Sequence, residues 1–155
     1  MSQNYAAQTS STLWNMHFQT SDPLQIAYIE AELGSRGQTS FGVDYLGRTT
    51  ASAYGKRLYR REAASSTDVN CKDFPSAAEA QKYFLARGGP VSDPEGLDRD
   101  GDGLACEWGR QLRKSASRYS VRIQPRRQSS SYCHIGPRGG RYTITASGAK
   151  NYGGC

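Results

Sequence analysis

Asp98-Arg99-Asp100-Gly101-Asp102-Gly103-Leu104-Ala105-Cys106-Glu107 is the stretch around which the rest of the chain can be organised. Three carboxylates alternate along a loop that two glycines allow to turn sharply. Calcium is a hard cation that takes several oxygen ligands at about 2.3–2.6 Å, and carboxylates at alternate positions can wrap it. Asp98, Asp100 and Asp102 are therefore the candidate ligands. Leu104 stands where an EF-hand-type loop supplies a backbone carbonyl, and Glu107 is the next acid downstream. The terminal Glu of a standard EF-hand would fall at Gly109, so Glu107 or water must close the shell in a different geometry. Asp93 and Glu95 are candidate outer acids. A solvated acidic turn is the plain alternative, because Asp and Gly are ordinary turn residues. Three aspartates this close repel one another unless a cation neutralises them, which favours the ion site. Magnesium fits less well, since it demands a tighter octahedron and keeps its waters.

Upstream of the loop, Ser76 and Glu79 form a capping-box pattern for a helix over 77–87. Ala80, Phe84 and Leu85 supply its buried face, and Gly88-Gly89-Pro90 ends it. Downstream, residues 104–108 read as the start of a short second helix. The four cysteines are Cys71, Cys106, Cys133 and Cys155. None forms a CxxC pair, which argues against a zinc knuckle or a thioredoxin-type site. An even count in a small Gly-rich chain points to two disulfides and an oxidising compartment. Three connectivities are open, of which one bridge per module, Cys71 with Cys106 and Cys133 with Cys155, is the simplest.

With 155 residues of which 36% are hydrophobic, one large core is not expected. Small modules then rely on staples such as disulfides or metals. The expected class is α+β: small disulfide-stapled modules, an EF-hand-like helix-loop-helix and a C-terminal β-hairpin. Residues 1–61 form an N-terminal segment of helix and strand, 62–69 a linker, 70–109 the calcium-loop module, 110–132 a basic linker and 133–155 a Cys-closed basic hairpin. In the first segment Asp22 caps a helix over 23–33, Pro23 suits its first position, Gln25 completes a capping box and Gly34 is its natural stop. Leu24, Ala27, Tyr28 and Ala31 share one face, with Ile26, Ile29 and Leu33 beside it. A short strand is expected over 40–46, and Trp14 and Phe18 join the helix in a small core. In the basic linker a strand is expected over 119–123. In the last segment 141–145 is a strand, Ser147-Gly148 a turn and Lys150-Asn151-Tyr152 the return.

Charge is distributed unevenly. Residues 1–61 carry six Lys/Arg and four Asp/Glu, residues 62–109 four and ten, and residues 110–155 ten and none. The middle attracts cations and the tail anions. Arg126, Arg127, Arg138, Arg141 and Lys150 are candidate polyanion contacts, and Lys56, Arg57, Arg60 and Arg61 form a second basic cluster read as a solvated connector. A polyanionic surface, an acidic protein or nucleic acid is the expected partner. The acid-free tail with Tyr119, Tyr132, Tyr142 and Tyr152 offers stacking as well as charge. No run is long and apolar enough to span a membrane. Residues 1–5 lack a basic start followed by an apolar stretch, so no standard signal peptide is expected.

No catalytic constellation stands out. His17, between Met16 and Phe18, reads as a packing residue and His134 as a turn residue. Neither sits in an HNH-like or Ser/His/Asp arrangement. Cys133 would need a free, activated thiol to be a nucleophile. The chain is therefore expected not to be an enzyme. Nuclease accessory, nucleic-acid binder and self-assembling subunit of a surface or virion structure remain as alternatives.

Asn70-Cys71-Lys72-Asp73-Phe74, Ala80-Gln81, Phe84, Gly88-Gly89-Pro90, Asp93-Pro94, Leu97 and the loop through Glu107 resemble the Excalibur calcium-binding domain. The resemblance covers about a quarter of the chain. It implies a small extracellular module of bacterial surface proteins, calcium ligation by Asp98, Asp100, Asp102 and Glu107, and a disulfide between Cys71 and Cys106. Residues 136–152 are similar to short basic adaptor modules at the ends of bacterial and viral proteins, which implies an attachment role. The expected function is calcium binding that orders an extracellular or surface-associated protein of bacterial or phage type.

Overall fold

The computed structural model describes residues 4–62, 68–123, 130–153 and 155. The chain divides into two compact units, residues 1–121 and 122–155. The first holds α1 (Ser10–Gln19), α2 (Pro23–Ser35), the strands β1 (Ser40–Phe41) and β2 (Asp44–Tyr45), α3 (Ala77–Ala86) and most of α4 (Trp108–Ile123). The second holds β3 (Ser130–Ile135), β4 (Arg141–Ile144) and β5 (Lys150–Asn151), an antiparallel sheet in the order β3-β4-β5. The class is α+β, with two disulfides, Cys71–Cys106 and Cys133–Cys155. The second of these closes the C-terminal hairpin, as the simplest pairing requires.

Capping explains where the helices begin. Thr9 Oγ1 accepts from the Thr12 amide, Asp22 from Leu24 and Gln25, and Ser76 from Glu79, each supplying an acceptor for an otherwise orphaned first-turn N–H. α2 runs through Gly34 instead of stopping there. An added Cβ at Gly34 would lie 2.3 Å from Cη2 of Trp108, so this glycine makes room for the indole. The left-handed residue that lets the chain turn is Gly37, at φ 73°. Ile26, Ile29, Ala31 and Leu33 are the buried side of α2, whereas Leu24 is exposed. The expected strand over 40–46 is a hairpin of two short strands, because Gly42 takes a positive φ between them.

Two expectations about organisation are corrected. Residues 1–61 and 70–109 do not form separate modules. Leu13 and Trp14 of α1, Ile29 and Leu33 of α2, Leu46, Ala78, Leu104, Trp108 and Leu112 constitute one buried cluster. A second, of Ala31, Phe84, Leu85, Leu97 and Ala105, joins α2 to α3 and the acidic loop. The apolar faces of both segments are buried against each other, so they share one core. The basic linker is also not a connector with a strand at 119–123, since α4 covers it up to Ile123. Trp108, Leu112 and Ser115 recur at helical spacing and face the core, while Arg110, Arg113, Lys114 and Arg118 face solvent. The short helix expected from Leu104 starts only at Trp108. Phe18 is likewise outside the small core assigned to it: it is exposed, with the Arg48 guanidinium 5.4 Å over its ring.

Candidate metal centre

Asp98, Asp100 and Asp102 each place a carboxylate oxygen within 4.8 Å of the other two. Asp98 and Asp102 are buried and Asp100 is exposed, so the cluster is open on one side only. Local chain geometry produces this. Asp98 Oδ1 accepts the amides of Gly101 (3.0 Å) and Asp102 (3.2 Å), and its Oδ2 accepts that of Gly103 (2.8 Å). Asp102 Oδ1 accepts the Leu104 amide at 2.8 Å. Gly101 and Gly103 take φ of 73° and 86°, which side chains rarely tolerate, and that lets three successive amides turn toward one carboxylate. Asp93 fastens the start of the loop, accepting from Leu97 and Asp98 at 2.9 Å each.

Three elements hold this loop from outside. Gln81 of α3, fully buried, donates to the Gly103 carbonyl (3.0 Å) and accepts from the Ala105 amide (2.6 Å). The disulfide ties Cys106 to Cys71, and the Cys106 amide donates to Leu97 O at 2.8 Å. Residues 55–61 lie across the loop as a strap. The amides of Leu58 and Tyr59 both donate to Gly101 O at 2.8 Å, and that of Gly55 to Asp102 Oδ2 at 2.7 Å. Arg61 Nη2 donates to Asp98 Oδ2, and its Nε to the Asp98 carbonyl at 3.0 Å.

Burial pushes the Asp98 carboxyl up to about 6, against the Arg61 guanidinium and the Gly103 amide, which favour its charged form. Burial also raises Asp102, with the Asp100 charge adding to the shift. Such crowding is what a divalent cation relieves. The donors are all oxygen, which suits calcium and not the thiolate- or imidazole-seeking metals. Asp98, Asp100 and Asp102 would hold the ion, and its chemistry there is charge neutralisation and cross-linking of the loop.

The remaining candidates lie elsewhere. Glu107 is exposed and pairs with Arg110 at 3.1 Å, so the structure does not bring it to the three aspartates. Leu104 buries its side chain in the shared core and lends its amide to Asp102. Glu95 pairs with Arg87 and receives the Tyr83 hydroxyl, away from the loop. Of the polyanion candidates, Arg138, Arg141 and Lys150 are exposed in the second unit, Lys150 with its Nζ 4.7 Å over the Tyr142 ring. Arg126 and Arg127 lie outside the described residues. The His134 ring stacks on Tyr142 at 5.4 Å.

The sequence does not show that Arg61 and Gln81 grip the loop, nor that His17 lies in a buried polar cluster. Gln81 carried a signal: it shares a helix face with Ala78 and Leu85, a polar residue where the period calls for an apolar one. Arg61 carries none, being one of four cations in the run Lys56, Arg57, Arg60 and Arg61. His17 Nδ1 lies 2.6 Å from Asp44 Oδ2 and its Nε2 3.1 Å from Glu30 Oε1, all three buried. Glu30 also accepts from the Gly47 amide (2.8 Å) and the Thr50 hydroxyl (2.6 Å), and Asp44 from Arg48 (2.8 Å). His17 is thus more than a packing residue: it joins α1, α2 and β2.

A carboxylate loop closed by a disulfide and carried after a capped helix defines a small calcium-loop module. Residues 68–107 match the family model of the Excalibur calcium-binding domain. The matched family is a calcium-binding one and not a catalytic one. No curated protein and no solved structure matches the chain. Among the described residues, no helix is long and apolar enough to cross a membrane.

Proposed function

We propose that this is an extracellular or surface-associated protein of bacterial or phage type, without catalytic activity, in which calcium fastens the loop of residues 98–104 onto the shared core. The observation that carries this reading is the convergence of Asp98, Asp100 and Asp102, two of them buried, on one point of a glycine-turned loop. Asp98, Asp100 and Asp102 supply carboxylate oxygens. Leu104 supplies its carbonyl, and Glu107 closes the shell by leaving Arg110. Two disulfides suit an oxidising, extracytoplasmic location.

The test is a melt of the non-reduced protein followed by tryptophan fluorescence, with calcium, with chelator and with magnesium. Ligand that binds only the folded form stabilises by about 2.7 kcal/mol at ~100 times its Kd. For a unit of this size each kcal/mol moves Tm by about 4 °C, so a rise of about 11 °C is expected with calcium. Asp102→Asn should abolish it. A wild-type Tm indifferent to calcium overturns the reading.

One observation favours a second, compatible activity. Arg110, Arg113, Lys114 and Arg118 share the solvent face of α4, opposite Trp108, Leu112 and Ser115. Arg113 is braced over the Tyr54 ring at 5.5 Å. This stripe would take the phosphates of a nucleic acid. Retention on DNA should then fall steeply with salt, and Arg113→Glu with Lys114→Glu should lower it at every salt concentration.

A further inference from the structure

We propose that Arg61 is a built-in competitor for calcium: carried on the strap of residues 55–61, its guanidinium takes the Asp98 oxygen that an ion in this loop requires. This rests on the calcium reading above and concerns how the same site is regulated.

An ionised carboxylate has two oxygens and about four acceptor positions. Asp98 fills them: Gly101 and Asp102 amides on Oδ1, the Gly103 amide and Arg61 Nη2 on Oδ2. A cation can be ligated by Asp98 only where a donor withdraws. Three of the four donors are amides of the loop itself, fixed by the left-handed glycines that shape it, and their withdrawal would dismantle the cluster. The fourth comes from 37 residues away on a side chain with several rotatable bonds. Arg61 is therefore the donor that can leave at least expense to the loop.

Its surroundings fit that role. The guanidinium carbon lies 5.6 Å from the Tyr59 ring centroid and 5.9 Å from that of Phe84, aromatic faces that hold a cation in place. Arg61 Nε lies 3.8 Å from Asp93 Oδ2, a carboxylate outside the ligand set onto which the charge can shift. The strap need not let go when Arg61 does, because Leu58 and Tyr59 hold it through the Gly101 carbonyl, which is not a carboxylate ligand. Arg61 thus stays tethered beside the loop at high effective concentration. It supplies the positive charge that stabilises the folded loop when calcium is scarce and weakens calcium affinity as a consequence. The loop then responds to calcium at a higher concentration than its three aspartates alone would dictate.

The experiment is isothermal titration of the full-length, non-reduced protein with calcium chloride, in wild type, Arg61→Gln, Arg61→Lys and, as a control, the exposed neighbour Arg60→Gln. Loss of one charge-assisted hydrogen bond from the competing state should tighten Kd about tenfold in Arg61→Gln. Arg61→Lys, which keeps a charge but not the paired donors, should fall between, and Arg60→Gln should match wild type. In chelator, Arg61→Gln should melt below wild type, since the aspartates lose their internal cation. Wild-type tryptophan emission in each variant shows that the fold is retained. Equal or weaker calcium binding in Arg61→Gln overturns the competitor role while leaving the calcium reading intact. No calcium binding in any of the four proteins overturns both.

Discussion

Replacing Gln81 by leucine removes a side chain that touches no ion and lies on no surface, yet fastens the exit of the acidic loop at two points. Its amide nitrogen donates to Gly103 O at 3.0 Å and its amide oxygen accepts from Ala105 N at 2.6 Å. Leucine is close to it in volume, so the cavity contribution is small, and what remains is a buried carbonyl and a buried N–H without those partners. Leaving a buried polar group unsatisfied costs about 1–3 kcal/mol. The two together, offset by the gain of a buried methyl-bearing side chain, come to about 3 kcal/mol. At about 4 °C per kcal/mol this lowers Tm by roughly 12 °C. Trp14 and Trp108 are the only tryptophans, and both are buried in the first unit. Urea unfolding followed by their fluorescence, in chelator and without reductant, therefore reports that unit alone. The same variant should bind calcium more weakly, because residues 103–105 follow directly on the candidate ligand Asp102. A loss below about 1 kcal/mol would refute the assignment of Gln81 as the loop's anchor, since it would show that water or backbone satisfies both groups equally well.

Two further expectations follow from the packing. Burial opposes a charged His17, but the hydrogen bonds to Glu30 and Asp44 outweigh it and its pKa is raised. Its contribution to stability is then fully present below about 6.5 and lost as pH rises through the raised folded value. Melting temperature should fall with pH above about 7, and His17→Gln should flatten that fall; an unchanged slope would count against the cluster. Gly34→Ala gains about 1 kcal/mol in helix propensity. Its Cβ, however, would meet Trp108 Cη2 at 2.3 Å and Cζ3 at 2.8 Å. Overpacking of about 1–3 kcal/mol should prevail, so the variant should unfold at lower urea with a shifted tryptophan emission, and a stabilised variant would contradict the packing.

Several elements were legible because their causes are local. The helix caps at Asp22 and Ser76 act within three residues, and both are seen doing so. The β-strand over 141–144 follows from its run of Tyr, Thr and Ile. α4 is masked in the sequence by its density of charge. Among its described side chains the buried ones are Trp108, Leu112 and Ser115, and a helix with so narrow a buried face declares itself only when a partner core is known. Gly34 reads as a stop because glycine ends helices through left-handed backbone, whereas here its lack of a side chain is what matters.

By itself the sequence determined the acidic loop, its preference for an oxygen-seeking cation, the capped helices that flank or precede it, and the separation of negative middle from positive tail. These depend on spacing over a few residues and on side-chain chemistry, which survive without knowledge of distant neighbours. Only the tertiary structure decided that residues 1–61 and the calcium loop share one core, that His17 sits between Glu30 and Asp44, and that Gln81 and Arg61 grip the loop. The polar contacts among these join residues between 13 and 37 positions apart, and the shared core joins residues farther apart still. At such separations the partner of a polar side chain is chosen by how the apolar faces pack, and local pattern carries no record of that choice.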